Sequence, residues 1–450
     1  MNEPDGSSGL LIARLSVMMF LQYWPLGLWG VTFATFLAAN TGDSGEGLFD
    51  ASFIGKSQTA GAVGSLLAPL VVGWFADRFG ATERVLAVSH FAAAAAVWSI
   101  HEAPTQWALY VGLLVYYQLF GPTVALTNSI ALAGLKDPDR EFPVVRVFGT
   151  VAWISSGVFI GVVCRWWWGE SIEATRIPMA LSAVSHLVMA AYSLTLPRGK
   201  AAARESPPLQ TAAAGGVDPH ARARLWRNTA FLFFLGISVF AAAPSIPYNL
   251  MNLFLNERGY QGAAATLTMG QVTEVLCFIA MPALLTRFGL KAVFLVGVLG
   301  WALRYALLVL GSYGGPDSAA AAAAVYVAII IHGPCYAFVY VVGQMYVDRL
   351  VPPSSRTAAQ GMHTVATNGI GHLFGAGMVG WTQAAFLTPE GVTPAPYRWP
   401  EFWLVPIVIG VVTAAVFAAT FTDRSTALDD SEAGRVATPR ETPTGDAADA

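Results

Sequence analysis

The 450-residue sequence contains few charged residues. Asp, Glu, Lys and Arg make up only 12% of it, whereas an ordinary soluble domain is about a quarter charged. Hydrophobic residues make up 55%, and the mean hydropathy is +0.54. This composition excludes a soluble enzyme, and we therefore expect neither catalytic activity nor a cofactor.

Excess positive charge and paired cysteines are also missing. The formal net charge is −3, so no basic surface is available to hold a nucleic-acid backbone, and we expect no nucleic-acid partner. The three cysteines, Cys164, Cys277 and Cys335, stand singly in apolar runs. They lack the CxxC pairs of a zinc site and the even number of a disulfide framework, so we expect buried thiols and no metal.

Long apolar runs are what the sequence does contain. A helix needs about 20 apolar residues to cross the hydrocarbon core of a bilayer, and the sequence supplies twelve such runs. They lie at 10–37, 52–74, 82–100, 105–134, 146–168 and 176–196, and at 228–255, 264–285, 290–312, 319–347, 356–387 and 401–421. This pattern predicts an all-α polytopic membrane protein with twelve transmembrane helices in two six-helix halves.

Two polar segments divide the chain into domains. Residues 197–227 mix Pro, Gly, Ala and charge with little to bury, which indicates a cytoplasmic linker. Residues 423–450 have the acidic, weakly hydrophobic composition of a disordered cytoplasmic tail. We therefore expect an N-terminal bundle at 1–196 and a C-terminal bundle at 228–422.

The distribution of Lys and Arg predicts the orientation. If both termini are cytoplasmic, most Lys and Arg residues fall in cytoplasmic segments, as short loops of membrane proteins require. The exceptions on the outer side are Arg165, Arg176, Arg258 and Arg398. We expect a multi-pass protein of a bacterial inner (plasma) membrane.

The loop after the second helix carries a short motif, GWFADRFG at 73–80, with Asp77 and Arg78 at its centre. A weaker echo, RFGLK, lies at 287–291 between helices eight and nine. Together with the six-plus-six layout, this motif resembles the major facilitator superfamily, whose two halves rock around a cavity at the midplane. The resemblance implies that Asp77 and Arg78 form a conformational gate.

A few ionisable residues lie inside the predicted helices, where each costs about 2.5 kcal/mol or more and therefore suggests a function. Glu274 shares a helix face with Gln271, and Arg146 shares one with Thr150. Alternatives remain open: Glu274 pairs with Arg304 to pin two helices, or Arg146 is an interfacial anchor.

Histidines and amides complete the set of intramembrane polar residues. His332, His363 and His372 lack metal-ligand spacing and are either polar helix contacts or proton relays. Amides facing lipid are costly, so the amide side chains are expected in the interior, as packing or as cavity lining; they are Gln22, Gln118 and Asn128. Few fixed charges with many amides, hydroxyls and aromatics suit a neutral, hydrogen-bonding solute such as a nucleoside or a sugar.

Three stretches resemble the nucleoside:proton symporters of the major facilitator superfamily. They are FPVVRVFGTVAWISSG in helix five, GQVTEVLCFIAMPALLTRFGLKAVFLVGVLGWALRYALLVLG across helices eight and nine, and AAQGMHTVATNGIGHLFGAGMVG in helix eleven. The likeness extends from helix one to helix twelve. It implies that the nucleoside contacts Arg146, Thr150, Trp153, Gln271 and Glu274, with Trp153 standing where the family has Phe.

Two positions depart from the family pattern. In helix seven, Ser245 and Tyr248 stand nearest to the Gln and Asn with which the family binds its solute. In helix ten, Tyr336 is followed by Ala337, where the family has an aspartate linked to proton coupling. We retain Ser245, Tyr248 and Tyr336 as substrate-binding positions.

Proton coupling therefore has one remaining acidic candidate. Glu274 is that candidate, with His332 in reserve, and the missing aspartate favours weak or absent coupling.

The sequence as a whole predicts a monomeric nucleoside transporter that works by alternating access in the lipid bilayer, with protons as an open question. A permease for another neutral solute, such as a sugar, is the main alternative. A solute sensor that does not transport is a further one.

Overall fold

The computed structural model describes residues 6–42, 45–50, 52–64, 66, 82–196, 225–352, 355–386 and 397–421. The predicted gate residues Asp77 and Arg78 lie outside the described residues, as do most of the predicted linker and the tail 423–450.

The first half of the chain forms six helical segments among the described residues. Helix α1 comprises Gly6–Gly30 and, after a two-residue turn, Phe33–Ala39, and α2 covers residues 53–64. Helices α3 and α4 are Thr82–His101 and Gln106–Gly134. Helix α5 is Pro138–Val158 and continues through a π-helical turn, Phe159–Cys164, to Arg165–Trp168, and α6 is Ile177–Ser193.

The second half repeats this plan. Helix α7 consists of Thr229–Ala242, two short 3₁₀ turns at Ala243–Ser245 and Pro247–Leu250, and Met251–Glu257. The helical stretch Ala263–Gly311 contains α8 before Gly289 and α9 after it. Helix α10 comprises Ala319–Ile330, His332–Tyr336, a π-helical turn Ala337–Val341 and Val342–Leu350. Helix α11 comprises Arg356–Thr364, a π-helical turn Val365–Gly371 and His372–Phe386. Helix α12 is Trp399–Thr420.

Seven helical stretches among the described residues are long and apolar enough to cross a membrane, and one of them, Ala263–Gly311, contains two helices. Within the RFGLK segment, α8 and α9 are separated only by the kink at Gly289. The φ of Gly289 is 74°, a left-handed value that glycine adopts without strain.

Two local differences from the predicted helix limits have clear causes. Helix α5 begins at Pro138, eight residues before the predicted start at 146, and its first turn, residues 138–141, carries no apolar signal. Helix α7 is interrupted by 3₁₀ turns at Pro244 and Pro247, since proline lacks the N–H that an α-helix needs.

Hydrogen bonds join the two halves at one end of the bundle, which we call the closed end. There Thr35 of α1 donates to the Asn252 side chain over 2.5 Å. Asn252 and Asn256 of α7 donate to the Glu173 carboxylate over 2.8 and 2.9 Å, and the Ala264 backbone N–H donates to it over 3.2 Å. Glu173 is only 1% exposed, so solvent does not reach this contact between the halves. We call the contact of Glu173 with Asn252, Asn256 and Ala264 the Glu173 seal.

Small residues let α5 and α8 approach one another at the same end. A Cβ at Gly161 would lie 2.6 Å from the backbone nitrogen of Ala265. The two helices therefore touch near the closed end.

Outside the helices, an ion pair ties two loops on the closed-end side. Arg176 donates hydrogen bonds to the Glu46 carboxylate, with Nη2 to Oε2 at 2.6 Å, and this contact lowers the pKa of Glu46.

Candidate functional site

A cavity of about 510 Å³ lies between the two halves. Helices α1, α2, α4 and α5 line it from the first half, and α7 to α11 line it from the second. Its volume lies within the range of about 300–1,000 Å³ that is usual for small-molecule sites.

The structure brings all eight predicted substrate-binding residues into the lining of this cavity. They are Arg146, Thr150 and Trp153 from α5, Ser245 and Tyr248 from α7, Gln271 and Glu274 from α8, and Tyr336 from α10. The residues are more than 180 positions apart in the sequence at their extremes. The packing of the two halves is what brings them together.

Arg146 is the charged group of the first-half wall. Its guanidinium carbon lies 4.6 Å from the centre of the Tyr23 ring, a cation–π contact that fixes the side chain without using its N–H groups. Within the described part of the chain, no hydrogen-bond acceptor or carboxylate pairs with it, and it is half-buried. The five N–H donors of Arg146 are therefore available to a solute.

Glycine and tryptophan complete this wall. A Cβ at Gly149 would lie 2.6 Å from Arg146 Nη1 and 2.7 Å from Tyr23 Cδ2, so only glycine leaves room for the Arg146–Tyr23 contact. Trp153 is one helical turn further along and half-buried, and no other aromatic ring among the described residues packs against its indole. A planar ligand could therefore stack on the indole without displacing another aromatic ring.

The second-half wall is already internally hydrogen-bonded. Gln271 Nε2 donates to the Tyr248 hydroxyl over 3.5 Å, a long contact that ligand binding can replace. The Tyr340 hydroxyl donates to Ser245 Oγ over 3.0 Å and also lies 3.0 Å from His372 Nε2. Gln271 Oε1 is buried without a partner in the described part of the chain, so this wall retains a free acceptor.

Arg304 does not pair directly with Glu274, contrary to one of the two alternatives for these residues. Arg304 Nη1 donates to His332 Nδ1 over 2.8 Å, and His332 Nε2 lies 4.0 Å from Glu274 Oε2. The Arg304 guanidinium carbon also lies 4.1 Å from the centre of the Tyr248 ring. Arg304 is fully buried behind the cavity wall, and His332 stands between it and Glu274.

The three predicted interior amides are in the interior but do not line the cavity. Gln22 donates to Thr123 over 2.7 Å and lies 3.0 Å from His90 Nε2, in a fully buried network within the first half. Gln118 and Asn128 have amide atoms that are buried without a partner among the described residues. The three amide side chains singled out from the sequence therefore do not contribute to the site.

Sequence reasoning missed a second polar pair in the lining. Asn249 Nδ2 of α7 donates to Gln58 Oε1 of α2 over 2.8 Å, across the two halves. The signal was present in helix seven, because Asn249 follows Tyr248 directly, but the predicted alignment placed recognition at Ser245 and Tyr248. Nothing in the sequence of the second helix singles out Gln58.

The chemistry of the lining suits binding rather than bond breaking. Arg146 and Glu274 are its two charged side chains, and they are surrounded by aromatic, hydroxyl and amide groups. Among the described residues, no three side chains of His, Cys, Asp or Glu lie close enough together to hold a metal ion. A neutral solute with several hydroxyl or amide groups and a flat apolar face matches these walls.

Known proteins match this chain over almost its whole length. Residues 10–426 match the family model described as Nucleoside H+ symporter. The chain is 33% identical over 416 residues to the putative nucleoside transporter YegT of Escherichia coli (strain K12), covering 91% of this chain and 93% of that protein. It is 27% identical over 420 residues to the xanthosine permease of the same organism, covering 90% and 94%.

A solved structure shows the same fold. The crystal structure of the nucleoside transporter NupG superposes with a TM-score of 0.80 at 24% identity, covering 92% of this chain and all of that one. The prediction of an all-helical membrane protein with the major facilitator fold is thereby confirmed, as is the prediction that the chain is not an enzyme. The chain belongs to the nucleoside H+ symporter family of the major facilitator superfamily and is a multi-pass membrane transporter of nucleosides.

Proposed function

We propose that the cavity between the halves binds one nucleoside and that the eight predicted residues form its contacts. The observation that carries this proposal is that Arg146 and Trp153 of the first half line one cavity together with Gln271 and Glu274 of the second half, and that Arg146 has no hydrogen-bond partner among the described residues. Trp153 stacks on the base, while Arg146 and Glu274 bind the polar groups of the ribose and base.

The proposal includes an orientation and a cycle. With the linker 197–227 and both termini in the cytoplasm of a bacterial inner membrane, the closed end is extracellular and the cavity faces inward. The cycle alternates this state with one in which the Glu173 seal is open. A monomer suffices, because both walls of the cavity come from one chain.

Solute exchange in proteoliposomes tests the substrate class. We expect counterflow of uridine or adenosine, with no exchange of hexoses. Because charge-assisted hydrogen bonds contribute about 1.5–3 kcal/mol, Arg146→Ala should raise the apparent dissociation constant about tenfold or more.

Arg227→Ala provides the matched control, since Arg227 is exposed, outside the cavity lining and outside the gate motif and its echo. Unchanged exchange by well-folded Arg146→Ala protein would remove that residue from the site. Hexose exchange without nucleoside exchange would favour the sugar permease, and binding without any flux would favour the sensor.

A further inference from the structure

Three side chains of the second half form a continuous polar chain that begins in the cavity and ends in the protein interior. Glu274 lines the cavity on α8, His332 follows on α10, and Arg304 lies behind them on α9. The two steps of the chain measure 4.0 Å, from Glu274 Oε2 to His332 Nε2, and 2.8 Å, from His332 Nδ1 to Arg304 Nη1.

Arg304 determines which nitrogen of His332 carries the proton. A guanidinium can only donate hydrogen bonds, so His332 Nδ1 must accept. In the neutral ring the proton therefore lies on Nε2, the nitrogen that faces the Glu274 carboxyl group. At 4.0 Å the two groups are within ion-pair distance but beyond a direct hydrogen bond.

Close helix packing holds this geometry. A Cβ at Gly333 would lie 2.6 Å from the backbone nitrogen of Glu274, and one at Gly270 would lie 2.9 Å from His332 Cβ. The His332 ring stacks on Tyr248 with centroids 4.4 Å apart. Glycine at both positions allows α8 and α10 to bring His332 against Glu274.

The charges around this chain favour a site that takes up and gives off a proton. Arg304 is 0% exposed, and its Nε and Nη2 atoms have no partner in the described part of the chain. The Glu274 carboxylate lies on the far side of His332 from Arg304. On the other wall of the cavity stands Arg146, a second positive charge, which belongs to the half that moves relative to Glu274 during the cycle.

The other titratable side chains around these three residues are phenols and thiols, not carboxylates or amines. They are Tyr23 on α1, Tyr248 on α7, Cys277 on α8, Tyr305 on α9, and Cys335 and Tyr336 on α10. Arg146 and Arg304 are therefore the fixed charges that face Glu274 and His332 among the described residues.

We infer that Glu274 and His332 together form the proton-binding site of this transporter, with Arg304 as a positioning residue that fixes the His332 tautomer. The inference rests on the proposed nucleoside transport. It assigns to α8 and α10 jointly the role left vacant at Ala337, whose side chain is fully buried and outside the cavity lining. It also replaces the expectation of weak or absent coupling.

The proton balance of the cycle follows from the positions of the charges. A proton from the outer solution adds to the Glu274 carboxylate while Arg146 is distant, and it crosses with the neutral nucleoside as one net positive charge. When the halves close at the outer end, Arg146 approaches Glu274 and favours the carboxylate, so the proton leaves to the cytoplasm. His332 remains neutral and supplies the hydrogen bond that steadies the carboxyl group in both states.

Uptake driven by a pH gradient tests the site in the full-length protein. Proteoliposomes with an acidic exterior and an alkaline lumen are given radiolabelled uridine, and counterflow is measured separately at equal pH. We expect wild-type protein to accumulate uridine and to acidify the lumen. His332→Gln should lose accumulation and uridine-driven acidification about tenfold or more while it still catalyses counterflow.

His363→Gln is the matched control, because His363 is also a buried histidine of the second half but lies outside the cavity lining. It should accumulate uridine like the wild type. If His332→Gln does not fold, His332→Phe, which keeps the ring against Tyr248, takes its place.

The possible outcomes separate this inference from the proposed function. Wild-type protein without counterflow would refute nucleoside transport itself. Wild-type counterflow without gradient-driven accumulation would refute the proton site alone. A folded His332 variant that accumulates uridine normally, or one that loses counterflow together with accumulation, would also refute it, because His332 would then be dispensable or would bind the nucleoside.

Discussion

One arginine packs on a tyrosine ring in the first-half wall of the cavity, and a second does so behind the second-half wall, but the two pairs differ in their surroundings. Arg146 lies 4.6 Å from the Tyr23 ring centre, and Arg304 lies 4.1 Å from that of Tyr248. Arg146 is half-buried and has no hydrogen-bond partner among the described residues, whereas Arg304 is fully buried and donates to His332.

The difference shows that the same contact can serve two purposes. An aromatic ring stabilises a guanidinium without occupying its N–H groups, so Arg146 keeps its donors for a ligand. Behind the opposite wall, the same stacking compensates for part of the cost of burying Arg304, whose charge then acts through His332 on the cavity. In the function that we propose, the Arg146–Tyr23 pair recognises the solute, and the Arg304–Tyr248 pair sets the electrostatics of the opposite wall.

The largest effect that we expect from replacing the two arginines is a difference in stability. Arg304→Ala should lower the free energy of unfolding by about 2–5 kcal/mol, because it leaves a cavity among buried helices and removes the donor to His332 Nδ1. Arg146→Ala should change it by less than about 1 kcal/mol, since Arg146 faces the cavity. Thermal unfolding in detergent compares the two variants directly, and equal melting temperatures would contradict the distinction.

The next effect concerns recognition on the first-half wall. Trp153→Ala should weaken nucleoside binding by about 1–3 kcal/mol, by analogy with base stacking on aromatic side chains, whereas Trp153→Phe should have a mild effect. Equilibrium binding of uridine and adenosine provides the measurement. Full affinity in Trp153→Ala would mean that the base lies elsewhere.

A smaller effect is expected at the glycine that admits the Arg146–Tyr23 pair. Gly149→Ala places a Cβ 2.6 Å from Arg146 Nη1, so the guanidinium must shift, and we expect binding to weaken by about 1 kcal/mol. Stability should change little, because the clash of the Cβ with Tyr23 Cδ2, 2.7 Å away, offsets the about 1 kcal/mol by which alanine is a better helix former than glycine. Titration and thermal melting of the same sample would show whether affinity and stability separate in this way.

The smallest effect is expected on the second-half wall at Tyr248. Tyr248→Phe keeps the ring beneath Arg304 and against His332 and removes only the hydroxyl that Gln271 contacts over 3.5 Å. We expect uridine affinity to change by about 0.5 kcal/mol or less. A loss as large as that of Arg146→Ala would show that the hydroxyl itself binds the nucleoside.

Much of the architecture was predictable from the sequence because the bilayer imposes a simple rule on helix length and polarity. The apolar runs predicted the helices, and the resemblance in helices five and eight indicated Arg146 and Glu274. The same rule gives no information where a helix extends beyond its apolar part, as at Pro138, or where two prolines replace α-helical turns in α7.

The partners of the polar residues were harder to predict, because they depend on helix packing that one sequence does not encode locally. The sequence offered Arg304 as a partner of Glu274, but the glycines at 270 and 333 bring His332 between them. The contact of Gln58 with Asn249 likewise requires knowing that α2 faces α7. Whether the predicted residues bind a nucleoside remains a prediction for the experiments above.

The Glu173 seal has a consequence for the temperature dependence of transport. Each time the closed end opens, the three hydrogen bonds donated to this buried carboxylate by Asn252, Asn256 and the Ala264 N–H must break together. Water can replace them only after the halves have parted, so their enthalpy is lost before it is recovered. Turnover should therefore have a large activation enthalpy and fall steeply on cooling, while nucleoside affinity, which leaves the seal intact, changes little.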